Sequence, residues 1–155
     1  TAQQFHHYLE CEDVGMAVVQ FKNGAIGTIE GTTNVYPKNL EETLYLFGET
    51  GTVKIGGTST NNIDVWDFAD QRPEDADLKG LQEATSNVYG NGHTLVYADM
   101  MDAIAQDRPP YIDAKAGRRA LEMILAMYQS AATGLPEQLP LKHVASTDFT
   151  GRFSP

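Results

Sequence analysis

Cysteine is almost missing from this chain: Cys11 is the only one in 155 residues, so no intrachain disulfide can form and a reducing, cytoplasmic setting is expected. No stretch approaches the roughly 18–20 consecutive apolar residues of a membrane-spanning helix, and no basic-then-apolar leader opens the sequence. Basic side chains are scarce as well. Eleven Lys and Arg stand against 21 Asp and Glu, a formal net charge of −10, which repels a nucleic-acid backbone and an anionic membrane surface alike. Neither is an expected partner. The sequence also lacks the G-x-S-x-G nucleophile turn, the H-E-x-x-H zinc helix and any cysteine pair with metal spacing. Its nearest approach to a phosphate-binding glycine loop is Tyr89-Gly90-Asn91-Gly92-His93, whose two glycines do not complete G-x-G-x-x-G and lead into no strand–helix–strand unit. No metal, no cofactor bound by this chain alone and no catalytic residue are therefore expected. The first residue is Thr1 rather than methionine, which reads as a boundary or a processed start.

What is present is sized for a single domain over residues 1–155, with 41% hydrophobic side chains to fill one core. Between Glu12 and Thr33 apolar and polar residues alternate, with Val14, Met16, Val18 and Gln20 on one parity and Ile26, Thr28 and Glu30 after a break. A period of two predicts strands, and Asn23-Gly24 in the break predicts an antiparallel hairpin closed by a type I′ turn. A second hairpin is expected from Thr43–Phe47 and Thr52–Ile55 around the turn at Gly48–Gly51. A further strand over Ile63–Phe68 precedes the polar loop Ala69–Gly80, and the acidic residues between Asp64 and Asp77 read as solvated surface.

The periodicity then changes. Val96, Met100, Ala103 and Ile104 recur at helical spacing, predicting a helix over Thr94–Gln106 that Arg108-Pro109-Pro110 stops. A longer helix is predicted over Ala114–Thr133, with Asp113 as N-cap, Gly134 just past its end and Pro136 beyond. The tail Leu139–Pro155 fits an edge strand or a surface wrap. Strands followed by two helices imply an α+β fold: an open, mainly antiparallel sheet with two helices packed on one face. Val19, Phe21, Leu44 and Leu46 cannot all turn inward together with neighbours of opposite parity, so the other face is expected to serve homo-oligomerisation.

His6 and His7 stand close to Glu10, Glu12 and Asp13, but adjacent strand residues point to opposite faces and do not chelate one ion together. His143 carries no signal. His93 follows two glycines at the mouth of a helix, where the positive helix end attracts an anionic group; it either faces a ligand or merely caps the helix or packs at its first turn. The Tyr36-Pro37-Lys38 loop, flanked by Asn34 and Asn39, offers a phenol, amides and a cation to a hydroxyl-rich or phosphorylated ligand, or is a plain polar turn. Asn34, Tyr36, Lys38 and His93 are thus the substrate-binding candidates. Two alternatives stay open: a stand-alone carbohydrate-binding or interaction module without activity, and a small hydrolase or isomerase using His93 with an acidic partner.

Three stretches taken in order resemble a known family. They are Glu12-Asp13 leading into Phe21–Ile29, the turn Gly48-Glu49-Thr50-Gly51-Thr52-Val53, and Gly92-His93 through Arg108-Pro109-Pro110 into Gly117–Glu122 and Tyr128–Gly134. Together they resemble the C-terminal domain of the glucose–fructose oxidoreductase / inositol dehydrogenase / rhizopine-catabolism (Gfo/Idh/MocA) NAD(P)-dependent oxidoreductases, over nearly the whole chain. The resemblance implies an open sheet that walls the substrate site and mediates dimer or tetramer assembly. It implies as partners a small polar substrate (a sugar, nucleotide sugar or cyclitol) and an N-terminal Rossmann domain of the same parent that binds NAD or NADP. The glycine loop, the Glu-Lys-Pro type motif and the catalytic aspartate and histidine of such families do not occur in this sequence. By analogy, the Tyr36 loop and His93 face substrate hydroxyls in the complete enzyme.

Overall fold

The structure is a computed structural model that describes residues 1–153. The chain divides into two compact units, Thr1–Val35 with Ile112–Pro155, and Tyr36–Tyr111. The α+β class with antiparallel pairing is as expected from the sequence, and the strands fall into two sheets of three, one per unit.

In the first unit, β1 (Ala2–Gln3), β2 (Val14–Gln20) and β3 (Ile26–Thr32) form an antiparallel sheet in that order. Val18 faces Thr28, and Gln20 faces Ile26. The turn differs from expectation. The Gly24 N–H donates to Phe21 O at 3.0 Å, the Phe21 N–H to Ala25 O at 2.8 Å, and Gly24 alone is left-handed, at φ 90°. This is a three-residue loop, a type I turn closed by a glycine bulge, whereas type I′ needs positive φ at Asn23 also. Asn23 instead turns its Oδ1 onto the Ala25 N–H at 3.1 Å. Alternation sets the two faces: Ala17, Val19 and Ile29 are half-buried, while Met16, Val18 and Ile26 are open to solvent. The open parity is therefore that of Val18, not of Val19.

The long helix α3 (Ala114–Thr133) has the predicted bounds and caps. Asp113 Oδ1 accepts the Ala116 N–H at 2.7 Å, and Gly134 takes φ 72°. Its buried residue Leu125 packs with Phe149 and Phe153, flanked by Tyr128, Ala131, Leu141, Val144 and Ala2. Tyr128 sits 5.6 Å from the Phe149 ring and 5.3 Å from that of Phe153. The tail thus closes the core through a 3-10 turn at Ser146–Phe149 and adds no edge strand among the described residues; Ser154 and Pro155 lie outside them.

Asp13 anchors the start of this unit. It is 2% exposed, and its carboxylate accepts the N–H groups of Phe5, His6 and His7 at 2.8, 2.7 and 3.0 Å. Burial pushes its pKa up. The His7, His6 and Phe5 N–H donors and the Asn34 side chain together outweigh that push and hold the carboxyl well below the usual range. The backbone of Asp13 works too, its carbonyl accepting from the Thr33 N–H at 2.9 Å and Thr32 Oγ1 at 3.1 Å.

In the second unit, β4 (Leu44–Phe47), β5 (Gly51–Gly56) and β6 (Asn62–Phe68) form the other antiparallel sheet, with a register shift at Lys54/Ile55. Gly51 is required where it stands, since a Cβ would lie 2.3 Å from the Phe68 ring and 2.9 Å from the Asp67 carbonyl oxygen. The predicted polar loop contains one helical turn, α1 (Asp75–Leu78). Its acidic neighbours are more than solvated surface: Asp64 pairs with Lys54 at 2.9 Å, Asp67 with Lys79 at 2.8 Å, and Asp75 accepts the Trp66 indole N–H at 2.9 Å. The helix α2 spans Gly92–Ala105 and ends before the prolines act. Asp107 takes φ 50°, and the Arg108 N–H donates back to Ala103 O at 3.0 Å, a left-handed cap with aspartate in the usual glycine position.

Two outcomes are expected. Asp113→Ala removes the α3 cap and costs about 1 kcal/mol in urea unfolding without changing the m-value. Asp13 has a folded pKa below its ordinary 3.8, so its contribution is complete above that pH and drains away as pH falls below it. Asp13→Asn therefore flattens the acid limb of a stability–pH profile, and an unchanged limb sinks this assignment.

Candidate functional site

The four candidate residues divide between the units. Tyr36, Lys38 and His93 belong to the second, Asn34 to the first. No hydrogen bond joins any two of them among the described residues.

Tyr36 and Lys38 lie on the irregular segment ahead of β4, where the Tyr36–Pro37 peptide is cis. Tyr36 is 93% exposed and Lys38 is exposed, so both the phenol and the ammonium are presented outward. His93 is the second residue of α2 and is exposed. The turn before it depends on Gly90 at φ 66°, a conformation that glycine adopts without steric cost. Asn91, at the cap position, leaves the helix N–H groups uncapped and turns its side chain away, donating to Glu83 Oε1 at 2.8 Å and Ala84 O at 3.1 Å. The first turn of α2 carries no acidic side chain, so the positive end of the helix dipole is not neutralised from within it. Chain enters this turn from irregular structure rather than a strand, so it is not a dinucleotide cradle.

Asn34 is committed inward. Its side chain hydrogen-bonds Asp13, its backbone N–H donates to Thr32 Oγ1 at 3.0 Å, and its Oδ1 is shielded from solvent without a partner. An ionised carboxylate only accepts, so Asp13 must receive the amide nitrogen. His6 and His7 are exposed; both donate backbone N–H groups to Asp13, and the His7 ring also brings Nδ1 to 3.5 Å from Asp13 Oδ2. Among the described residues, no three His, Cys, Asp or Glu side chains converge on a metal position.

Two features escaped the sequence reading. Asp13 carries no local mark of burial, since a lone aspartate ahead of a strand is ordinarily solvated. Tyr128 reads from spacing as core; its ring is core, but its hydroxyl donates to Glu12 Oε1 at 2.5 Å. Burial, then the Glu12 acceptor and its charge, push the phenol up to about 12, so it stays a proton donor through the physiological range. No sequence signal pairs residues so far apart. No helix among the described residues is long and apolar enough to cross a membrane.

Residues 1–139 match the profile of the oxidoreductase family, C-terminal alpha/beta domain. No curated protein matches the chain. Solved structures that are similar include two dehydrogenases. One is the WlbA dehydrogenase from Bordetella pertussis in complex with NADH and UDP-GlcNAcA, with TM-score 0.83 and 36% identity over 91% of this chain. The other is the WlbA dehydrogenase from Chromobacterium violaceum in complex with the same two ligands, with TM-score 0.78 and 32% identity over 92% of this chain. The chain spans 41% and 39% of the lengths of those two proteins. A match over residues 1–139, joined to identity above 30% across nine-tenths of the sequence, means that the chain belongs to the Gfo/Idh/MocA oxidoreductase family and carries its C-terminal α/β domain.

Proposed function

We propose that residues 1–155 form the substrate-binding and oligomerisation domain of a cytoplasmic NAD(P)-dependent dehydrogenase that acts on a nucleotide sugar. The observation that carries this reading is the 36% identity over 91% of the chain to a dehydrogenase bound to NADH and UDP-GlcNAcA.

Nicotinamide dinucleotide supplies the hydride acceptor in such chemistry, and it is taken to be held by a separate Rossmann domain. Among the described residues no strand leads into the Gly90–Gly92 turn, so this turn does not offer the dinucleotide cradle. The role left to this domain is orientation. The uncapped α2 N-terminus, His93 and Lys38 provide positive or hydrogen-bonding groups suited to phosphate, and Tyr36 provides a phenol suited to sugar hydroxyls. Asn34, tied to Asp13, contributes by fixing the chain just ahead of the Tyr36 loop. The open sheet face bearing Met16, Val18 and Ile26 is the proposed contact between copies, Val18 and Ile26 being 75% and 72% exposed. Isolated exposed apolar residues are ordinary, but three on one face of a paired hairpin form a patch that association buries.

Calorimetry on the intact dehydrogenase tests the substrate reading. His93→Ala is expected to weaken UDP-sugar binding about ten-fold, roughly 1.4 kcal/mol, with NAD(H) binding unchanged. Equal UDP-sugar affinity in the two proteins removes His93 from the site. For assembly, Val18→Glu with Ile26→Glu is expected to lower the sedimenting mass to that of the monomer while the circular dichroism stays native; an unchanged mass places the contact elsewhere.

A further inference from the structure

A cleft at the end of β6 in the second unit has no part in the reading above. It has a volume of about 350 Å³ and is lined by Thr50, Trp66, Phe68, Asp70, Arg72 and Asp75. The two rings meet edge to face, centroids 5.2 Å apart at 63°. Trp66 is held in place, because its indole N–H donates to Asp75 Oδ1 at 2.9 Å while Asp75 Oδ2 accepts the Arg72 backbone N–H at 2.7 Å. Both oxygens of Asp75 are therefore engaged. The side chains of Thr50, Asp70 and Arg72 enter no hydrogen bond among the described residues, and Asp70 and Arg72 are exposed. The cleft thus joins a preset aromatic wall to a hydroxyl, a carboxylate and a guanidinium without partners.

We propose that this cleft is a saccharide subsite that takes one neutral sugar ring. The volume lies at the small end of the roughly 300–1,000 Å³ usual for small-molecule pockets. An anionic ligand meets two carboxylates, Asp70 and Asp75, against the single guanidinium of Arg72, so phosphate or uronate is disfavoured. A wholly apolar ligand strips water from Thr50, Asp70 and Arg72 and gives nothing back. A sugar ring matches both halves: its C–H face lies against the indole and phenyl rings, and its rim hydroxyls donate to Asp70 and accept from Arg72 and Thr50. The subsite needs neither phosphate nor nicotinamide, and it stands apart from the nucleotide-sugar reading.

Trp66 is the only tryptophan of the chain, so its emission reports on this cleft alone. The experiment titrates the 155-residue chain with glucose and with N-acetylglucosamine to about 100 mM, following Trp66 emission and saturation transfer to the sugar protons. A saturable response with a dissociation constant on the order of millimolar is expected, weakened about ten-fold or more by Asp70→Ala and by Arg72→Ala. Both side chains are on the surface, and unchanged circular dichroism verifies that each variant folds. Absence of saturation by both readouts overturns the proposal. So does equal binding by both variants, or saturation of the Trp66 emission by tetramethylammonium or uridine monophosphate in place of the sugars.

Discussion

The first unit hangs on one buried charge. Taking a carboxylate out of water is costly unless donors replace its hydration, and Asp13 is surrounded by them: three successive backbone N–H groups on one side and the Asn34 amide on another. In return the charge organises the chain around it. The segment Phe5–His7, which has no strand or helix of its own, is wrapped onto the carboxylate, while the Asp13 backbone carbonyl binds Thr32 and Thr33 at the end of β3. Protonation or neutral replacement weakens the contacts of Phe5, His6, His7 and Asn34 together, because they share the carboxylate, and leaves those to the backbone carbonyl in place.

Hydrophobic burial supplies the rest, and it is thin. Among the described residues the buried apolar side chains are Val53, Ala103, Leu125, Phe149 and Phe153, with three of the five in the cluster that includes Leu125 of α3. The second unit relies more on paired polar groups and on strand pairing, with Trp66 tied to Asp75 and Lys54 to Asp64. Exposed ion pairs contribute little individually. The helix α2 leaves Leu95, Tyr97, Met101 and Ile104 in solvent. The chain spans about two fifths of the dehydrogenases it is similar to.

That economy is compatible with the placement role proposed for the domain. Fold and family membership say little about a particular substrate, because function resides in the side chains a fold presents. Here those presented outward include a phenol, an ammonium and an imidazole at an uncapped helix end, none of them hydrogen-bonded to another among the described residues. Orientation of a substrate against chemistry supplied elsewhere is the role proposed for them.

Local order in the chain was determined by sequence alone. Alternation between Val14 and Glu30 specified the β2–β3 hairpin, and Asp113 and Gly134 bounded α3 to the residue, because periodicity and capping act within a few positions. The order of motifs sufficed for the family, and of the candidate site the sequence identified exposed residue types without their neighbours. Tertiary structure decided the rest. It divided the strands between two sheets, set Val18 rather than Val19 outward, drew Phe149 and Phe153 from an unassigned tail into the core, and buried Asp13. It also joined Tyr128 to Glu12, 116 positions apart. Burial and long-range pairing depend on which distant segments meet when the chain closes, and no local pattern of residues encodes that.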